Sequence, residues 1–275
     1  MDNAPHPGKP HYRTIWISDV HLGFKGCQAE FLLDFLQSTT CDQLFLVGDI
    51  IDFWKMKSGI HWPQSHNDVV REVLGKAKRD TQVTLVPGNH DELLRDFDET
   101  ELGNVHIRRQ AVHTTDDGRR LLIMHGDEFD SVVQCSKLVA LLGAHVYDTL
   151  IRLNRYVNWV RRKFGFPYWS LANYLKHKVK NAVNYISNFE HAIAHEARKQ
   201  GADGLVCGHI HRAEITPING VLYCNCGDWV ESCTALVEGD GGDLQILHWG
   251  DEKQALKSSV DVLPETSGEP VTRVA

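Results

Sequence analysis

The chain has 275 residues, 42% of them apolar and 24% charged, and a net charge of −7. It is long enough to bury a substantial core without covalent staples, which excludes a small disulfide scaffold. No apolar run approaches the ~18 residues of a membrane span. Met1 to His11 is polar, with no hydrophobic stretch, so the protein is expected to stay where it is made, in the cytoplasm. The cysteines number seven. An odd count in a chain of this size reads as free thiols in a reducing compartment.

Residues 1–12 read as a flexible lead into a domain spanning 13–250. Thr14–Ile17 is a short β-rich run ending in Ser18-Asp19. Glu30–Leu36 places Phe31, Leu32, Phe35 and Leu36 at helical spacing. Leu44–Val47 is a second apolar run, ending at Gly48-Asp49. Asn67–Lys78 sets Val69, Val70, Val73, Leu74 and Ala77 on one helical face. Val83–Val86 is stopped by Pro87-Gly88, and Leu121–Met124 ends at His125-Gly126. This alternation predicts α/β layers. From about 131 to 200 the pattern changes to long helices, broken near Gly165–Pro167, which predicts a helical insertion. One helix face holds Leu138, Leu141, Leu142, His145, Val146 and Leu150. Another holds Tyr174, Leu175, Val179, Val183 and Ile186. Short strands return at Gly204–Cys207, Val221–Cys224, Thr234–Val237 and Leu244–Leu247. Residues 251–275 read as a mobile tail.

Five separated segments place metal-ligand residues just after an apolar strand: Asp19-Val20-His21, Gly48-Asp49-Ile50-Ile51-Asp52, Gly88-Asn89-His90-Asp91, His125-Gly126 and Gly208-His209-Ile210-His211. Each alone is a weak signal. Open α/β sheets bind ligands at the strand ends, and five such segments in this order are hard to assign to packing. Carboxylate, imidazole and amide oxygen are ligands for Mn, Fe or Zn. A carboxylate can bridge two cations, which then clamp a phosphoryl group and acidify a water for attack. Gly48, Gly88 and Gly208 allow tight turns and close backbone approach. The expected chemistry is cleavage of a phosphate ester or phosphoanhydride with two divalent ions.

These motifs resemble the calcineurin-like metallophosphoesterase superfamily, with its D-x-H, G-D-x-x-D, G-N-H-D, H-G and G-H-x-H pattern, over about residues 14–212. The resemblance implies a four-layer αββα sandwich. By position it assigns one ion to Asp19, His21, Asp49 and His211, and the other to Asp49, Asn89, His125 and His209, with Asp49 bridging. Mn²⁺ is the expected ion, with Fe or Zn as alternatives. His90 matches the proton donor to the leaving oxygen, oriented by Asp91. That role suits a histidine, which titrates near neutral pH.

Within the superfamily the chain looks most like the UDP-2,3-diacylglucosamine diphosphatase family of lipid A synthesis. The features are Ser18 to Gly23, the Asp52-Phe53-Trp54 continuation, the helical insertion, and the run Asn225 to Ser232. One position departs: His90 stands where that family often reads G-N-R-D, and it restores the general acid of ordinary phosphoesterases. General phosphodiesters or phosphomonoesters therefore stay open as substrates, and a non-catalytic binding scaffold is the remaining alternative.

Charge is unevenly spread. Eleven basic and three acidic residues lie between Ser131 and Gln200, while the rest of the chain is acidic. Two readings of the insertion stand side by side: a cap for a lipid-linked phosphate touching a membrane surface, or a helical hairpin with a solvated basic face. Trp54, Arg161, Arg162 and Lys163 are the candidate substrate contacts. No nucleic acid is expected. Asp127, Glu128 and Asp130 read as solvated loop charges, the alternative being acceptors for ligand histidines.

Overall fold

The computed structural model describes residues 8–132, 163 and 171–249, with side chains described for 8–130, 163 and 185–249. The predicted helix around 138–150, Arg161, Arg162 and the tail after 251 lie outside the described residues. Among the described residues no helix is long and apolar enough to cross a membrane. The six cysteines described are all free.

The strands alternate sides with period two, and this decides the layering. In β1 (His11–Ile17), Ile15 and Ile17 face one core and Trp16 another. In β2 (Thr40–Val47), Leu44 and Leu46 join Ile15, while Phe45 and Val47 join Trp16. The first core is closed by α1 (Ala29–Ser38) through Leu32, Phe35 and Leu36, and by α3 (Gln64–Lys78) through Val69, Val73 and Ala77. Each buried Leu, Phe or Val among them contributes about 1.5–3 kcal/mol. Lys76 of α3 donates to the Thr39 carbonyl at the end of α1 (2.8 Å), tying the two helices together.

The same alternation builds the second half. In β7 (Arg120–Ile123), Leu121 and Ile123 face Trp16, while Leu122 faces outward. In β8 (Gly204–Cys207), Val206 faces inward and Leu205 outward. The outward set is covered by Phe189, Ile193, Ala194 and Ala197 of α4 (Leu171–Lys199). The order is helices, sheet, sheet, helix: a four-layer αββα sandwich, as expected. The later part of the basic helical segment is thus a layer of the sandwich.

The remaining strands are β3 (Gln82–Val86), β4 (Glu101–Leu102), β5 (Val105–Ile107), β6 (Ala111–Thr114), β9 (Glu214–Ile218), β10 (Val221–Asn225), β11 (Thr234–Glu238) and β12 (Leu244–His248), and α2 (Phe53–Met56) follows β2. One sheet runs β12-β11-β1-β2-β3-β5-β4, the other β6-β7-β8-β10-β9. β1, β2, β3 and β5 are mutually parallel, as are β7, β8 and β10. β4, β5, β6 and β9 were not anticipated. The first two are very short. β6 inverts the usual polarity, burying His113 and exposing Val112. β9 carries Pro217 on a sheet edge, where the missing N–H costs no ladder bond. Between the sheets, His113 Nε2 lies 2.7 Å from Glu238 Oε2, and Thr14 Oγ1 donates to the same oxygen.

Candidate metal centre

All five motif segments emerge from the carboxyl ends of parallel strands, namely β1, β2, β3, β7 and β8, so both sheets deliver them to one edge of the sandwich. The chain turns sharply there. Asp19, His21, Asp49, His209 and His211 all adopt φ between 52° and 70°. Non-glycine residues rarely enter this left-handed region, and Asp and His enter it more readily than most. The turns are stitched together by backbone bonds: Asp19 N–H to the Gly48 carbonyl (3.0 Å) and His21 N–H to the Asp49 carbonyl (2.9 Å). Gly48 and Gly88 answer to their predicted reason. A Cβ on Gly48 would run into the His125 ring, and one on Gly88 into the Asp49 carboxylate.

Seven side chains predicted as ligands lie around this edge, and ligand atoms of five of them cluster tightly. Asp19, His21 and His211 present one atom each within 4.8 Å of one another, and so do Asp19, Asp49 and His125. A third group at the same spacing is His21, Asp49 and His90. Asp49 reaches in two directions. Its Oδ1 is 3.5 Å from His125 Nε2, and its Oδ2 is 3.9 Å from both His21 Nε2 and His90 Nε2. Asp19, His21, Asp49, Asn89, His125 and His209 are buried, whereas the side chain of His211 is 38% exposed and that of His90 is 18% exposed. The cluster therefore has a buried floor and a rim that solvent reaches.

Three buried polar atoms of the floor make no hydrogen bond: Asn89 Oδ1, Asp19 Oδ1, which lies 3.1 Å from His211 Nε2 as an ion pair, and His125 Nε2, which faces Asp49. Burying a polar atom without a partner costs about 1–3 kcal/mol. His125 donates from Nδ1 to the Val47 carbonyl (3.0 Å), which leaves Nε2 as the ring nitrogen facing the carboxylates and free to ligate once it gives up its proton. A carboxylate oxygen, an amide oxygen and an imidazole nitrogen are the donor set of a borderline divalent cation. The residues fit such an ion.

Electrostatics agree. Burial alone would raise the Asp19 and Asp49 carboxyls, but facing histidines outweigh it. His211, His125 and His21 hold Asp19 well below the usual carboxylate range, and His125 and His21 hold Asp49 at about 2. Against burial, Asp49, Asp19 and Asp127 raise His125 to about 10, and Asp19, Asp228 and Asp49 raise His211 to about 9. Converging carboxylates give this edge a strong demand for positive charge.

The profile of the calcineurin-like phosphoesterase family matches residues 12–213. The chain belongs to this family. It is a metallophosphoesterase, a hydrolase of a class that uses divalent metals. It is 28% identical over 245 residues to a UDP-2,3-diacylglucosamine hydrolase of Neisseria gonorrhoeae, covering 83% of this chain and 95% of that protein. The protein of the same name from Neisseria meningitidis serogroup B is 27% identical over 256 residues, covering 85% and 96%. A solved archaeal phosphodiesterase is 12% identical, with a TM-score of 0.41 over 85% of this chain and 98% of that one.

Four contacts in the site of this phosphoesterase differ from the sequence reading or were not foreseen by it. Asp91 does not orient His90. Its buried carboxylate instead accepts the backbone N–H groups of Gly88 (2.6 Å), Ile50 (2.8 Å), Ile51 (3.2 Å) and Asp49 (3.3 Å), which clamps the β3 loop to the β2 loop. The carboxylate beside His90 is Asp52, quoted in the motif without a role. Asp52 Oδ1 lies 2.8 Å from His90 Nδ1, within ion-pair reach though out of line for a hydrogen bond, and Oδ2 lies 3.1 Å from His21 Nδ1. Burial would raise the Asp52 carboxyl, but His21, His90 and the Lys55 N–H hold it low. Asp127 and Asp130 are engaged rather than merely solvated: Arg95 donates to Asp127 (2.6 Å), and His209 Nε2 lies 2.6 Å from Asp130 Oδ1. Finally, Asn225 supports the β8 loop, donating to the Gly208 carbonyl (2.7 Å) and accepting from Gly227 N–H (2.9 Å). Of the candidate substrate contacts, Trp54 lies over the His90 ring, with centroids 4.5 Å apart. Lys163 is helical and exposed.

Proposed function

We propose that this phosphoesterase binds two divalent ions, with Mn²⁺ as the native metal, and hydrolyses a UDP-linked diacylglucosamine-type phosphoanhydride. The observation that carries the two-metal reading is the convergence of buried ligand atoms on Asp19, Asn89 and His125, none of them satisfied by a hydrogen bond, beside the two-directional Asp49. In this reading Asp19, His21, Asp49 and His211 hold one ion, and Asp49, Asn89, His125 and His209 the other. When bound, the ions supply positive charge against the phosphoryl oxygens and acidify a water for attack. The chain's own residues do the rest. Asp52 sets the His21 and His90 rings, and His90, partly exposed at the rim, holds the proton for the leaving oxygen. Trp54 covers His90 and offers a flat apolar surface to the organic part of the substrate. Arg161, Arg162 and Lys163 serve the anionic, lipid-linked end at a membrane surface. The substrate class is supported by the two full-length relatives that carry that name.

A second reading is favoured by His90 itself. A phosphate leaving group needs little help from an acid, whereas an alkoxide needs a proton. A phosphodiester or phosphomonoester with an alkoxide leaving group makes better use of His90. Hydrolysis of a panel of UDP-acylglucosamines, phosphodiesters and phosphomonoesters, with Mn²⁺ and with chelator, tests both. Turnover of the UDP-acylglucosamines above the others supports the first reading, and the reverse order supports the second. Turnover that survives complete metal removal would overturn the two-metal mechanism.

A further inference from the structure

Among the described residues, His209 is the one candidate ligand whose ring is tied to a long helix outside the motif loops. Its Nε2 lies 2.6 Å from Asp130 Oδ1, and the Tyr185 hydroxyl donates to the same oxygen at 2.5 Å. Asp130 sits in a short 3₁₀ turn (Asp127–Val132) directly after His125-Gly126. Tyr185 sits on α4, 55 residues later in the chain. One turn along α4, Phe189 sets its ring 5.9 Å from that of His209 and fills the space over Gly126. Phe189 is fully buried, and the His209 side chain is 2% exposed. The ring is therefore held by a hydrogen bond at one edge and by packing against its face.

A neutral imidazole carries one N–H and one lone pair. The Asp130 carboxylate can only accept, so in this pairing Nε2 carries the proton. The lone pair is then on Nδ1, the one atom through which the ring can ligate. Such a carboxylate partner fixes the tautomer and orientation of a ligand histidine and raises its basicity. The tyrosine hydroxyl does the same for the carboxylate one step further out. We infer that Asp130 and Tyr185 are positioning residues for the ion held by His209, and that α4 acts through them as part of the metal site's support. The inference rests on the two-metal reading above. It adds that a helix outside the five motifs sets the affinity of one ion and leaves the other alone.

The test is Mn²⁺ binding to the full-length protein, measured by competition with a chelator and by metal content after dialysis. Wild type, Tyr185→Phe, Asp130→Ala and His209→Ala are compared. Wild type should hold two ions. His209→Ala should lose one. Tyr185→Phe and Asp130→Ala should keep one ion at wild-type affinity and bind the other about 10- to 100-fold more weakly, with Asp130→Ala the more affected. Tyr185→Phe keeps the ring and its packing and loses only the hydroxyl, so it should fold as wild type does, with its metal-free unfolding midpoint lowered only by the one lost hydrogen bond. If Asp130→Ala does not fold, Tyr185→Phe decides alone. Wild-type affinity at both sites in Tyr185→Phe, or equal weakening of both, would overturn the inference while leaving the two-metal reading intact. Fewer than two ions in wild type would overturn that reading, and this inference with it.

Discussion

Replacing Asp91 by alanine should unfold the protein's active edge rather than merely slow its chemistry. The carboxylate is fully buried and accepts four backbone N–H groups from two loops. A hydrogen bond to a charged group is worth about 1.5–3 kcal/mol net. The two short bonds, from Gly88 and Ile50, carry most of that, and the two beyond 3.1 Å carry less. Desolvation offsets part of the gain, since burial and the neighbouring Asp49 both raise the Asp91 carboxyl. The net cost of Asp91→Ala is then about 3–5 kcal/mol, because the two short bonds are lost and their buried N–H groups are left unsatisfied at about 1–3 kcal/mol each. That is a large share of the 5–15 kcal/mol typical of a domain. Asp91→Asn keeps one acceptor but turns an NH₂ group toward the remaining donors, so it should fall between. Urea unfolding of the metal-free protein measures this as a drop in midpoint at constant slope. His90→Ala is the control. Its ring is partly exposed, and it should cost less than about 1 kcal/mol while lowering activity. A loss below 1 kcal/mol for Asp91→Ala would refute the clamp and return Asp91 to the catalytic role first expected of it.

Three further outcomes follow from the same geometry. Asp49→Ala should abolish turnover and lower metal content from two ions to one or none, because Asp49 is the carboxylate both sites share; two tightly held ions in the purified variant would contradict its bridging role. His90→Ala should slow substrates with alkoxide leaving groups about 10²–10⁴-fold while sparing nitrophenyl esters, whose leaving group needs no proton; equal losses on both would assign His90 another task. The His113 pKa is depressed, chiefly by burial and further by Arg13, against the pull of Glu238. Its folded value therefore lies below its unfolded one, so its contribution to stability is present above about pH 6.5 and is lost as the pH falls toward the folded value. His113→Gln should flatten that part of the stability profile between pH 7.5 and 5.5, and an unchanged slope would show that another group titrates there.

Much of this was legible in the residue pattern, for an identifiable reason. β1, β2, β3, β7 and β8 are short apolar runs that end in Asp, His, Gly or Pro, and each ends where a site residue begins. Strand and ligand are thus announced by the same few residues. β6 was hidden because its buried residue is a histidine and its exposed one a valine. The supporting contacts were hidden for a different reason. Asp130 meets His209 from 79 positions away, and Asp91 meets Ile50 from 41. Sequence spacing says nothing about such pairs until the sheets are stacked. Adjacency misled in the case of Asp91. It neighbours His90 in the chain, but its carboxylate joins the loop N–H groups, while Asp52, 38 residues earlier, comes beside the histidine.

The choice of ligand residues also answers a backbone problem. A side chain that leaves a strand end and points back across it needs a sharp turn at that very residue. Here the turn is made by left-handed φ at Asp19, His21, Asp49, His209 and His211. Glycine would relax each turn but carries no donor. A β-branched residue would be an outlier there. Asp and His are side chains that tolerate the conformation and also ligate metal. The tolerance is incomplete, and each such residue stores roughly 1–3 kcal/mol when the surroundings hold it in place. Backbone bonds between the β1 and β2 loops and the Asp91 clamp do that holding. In the two-metal reading, ion binding favours the folded state over the unfolded one in proportion to the logarithm of ion concentration over Kd, and so offsets the stored strain. At five of the seven predicted ligands, strain and ligation therefore fall on the same residue for one physical reason. The metal-free protein should accordingly be the less stable form, with the deficit concentrated at this edge of the sandwich and the Trp16 core between the sheets left unchanged. Amide exchange with and without Mn²⁺ reads this residue by residue: protection should rise at Asp19, His21 and Asp49 on adding the ion, and a uniform rise across both sheets would show that the strain is not local.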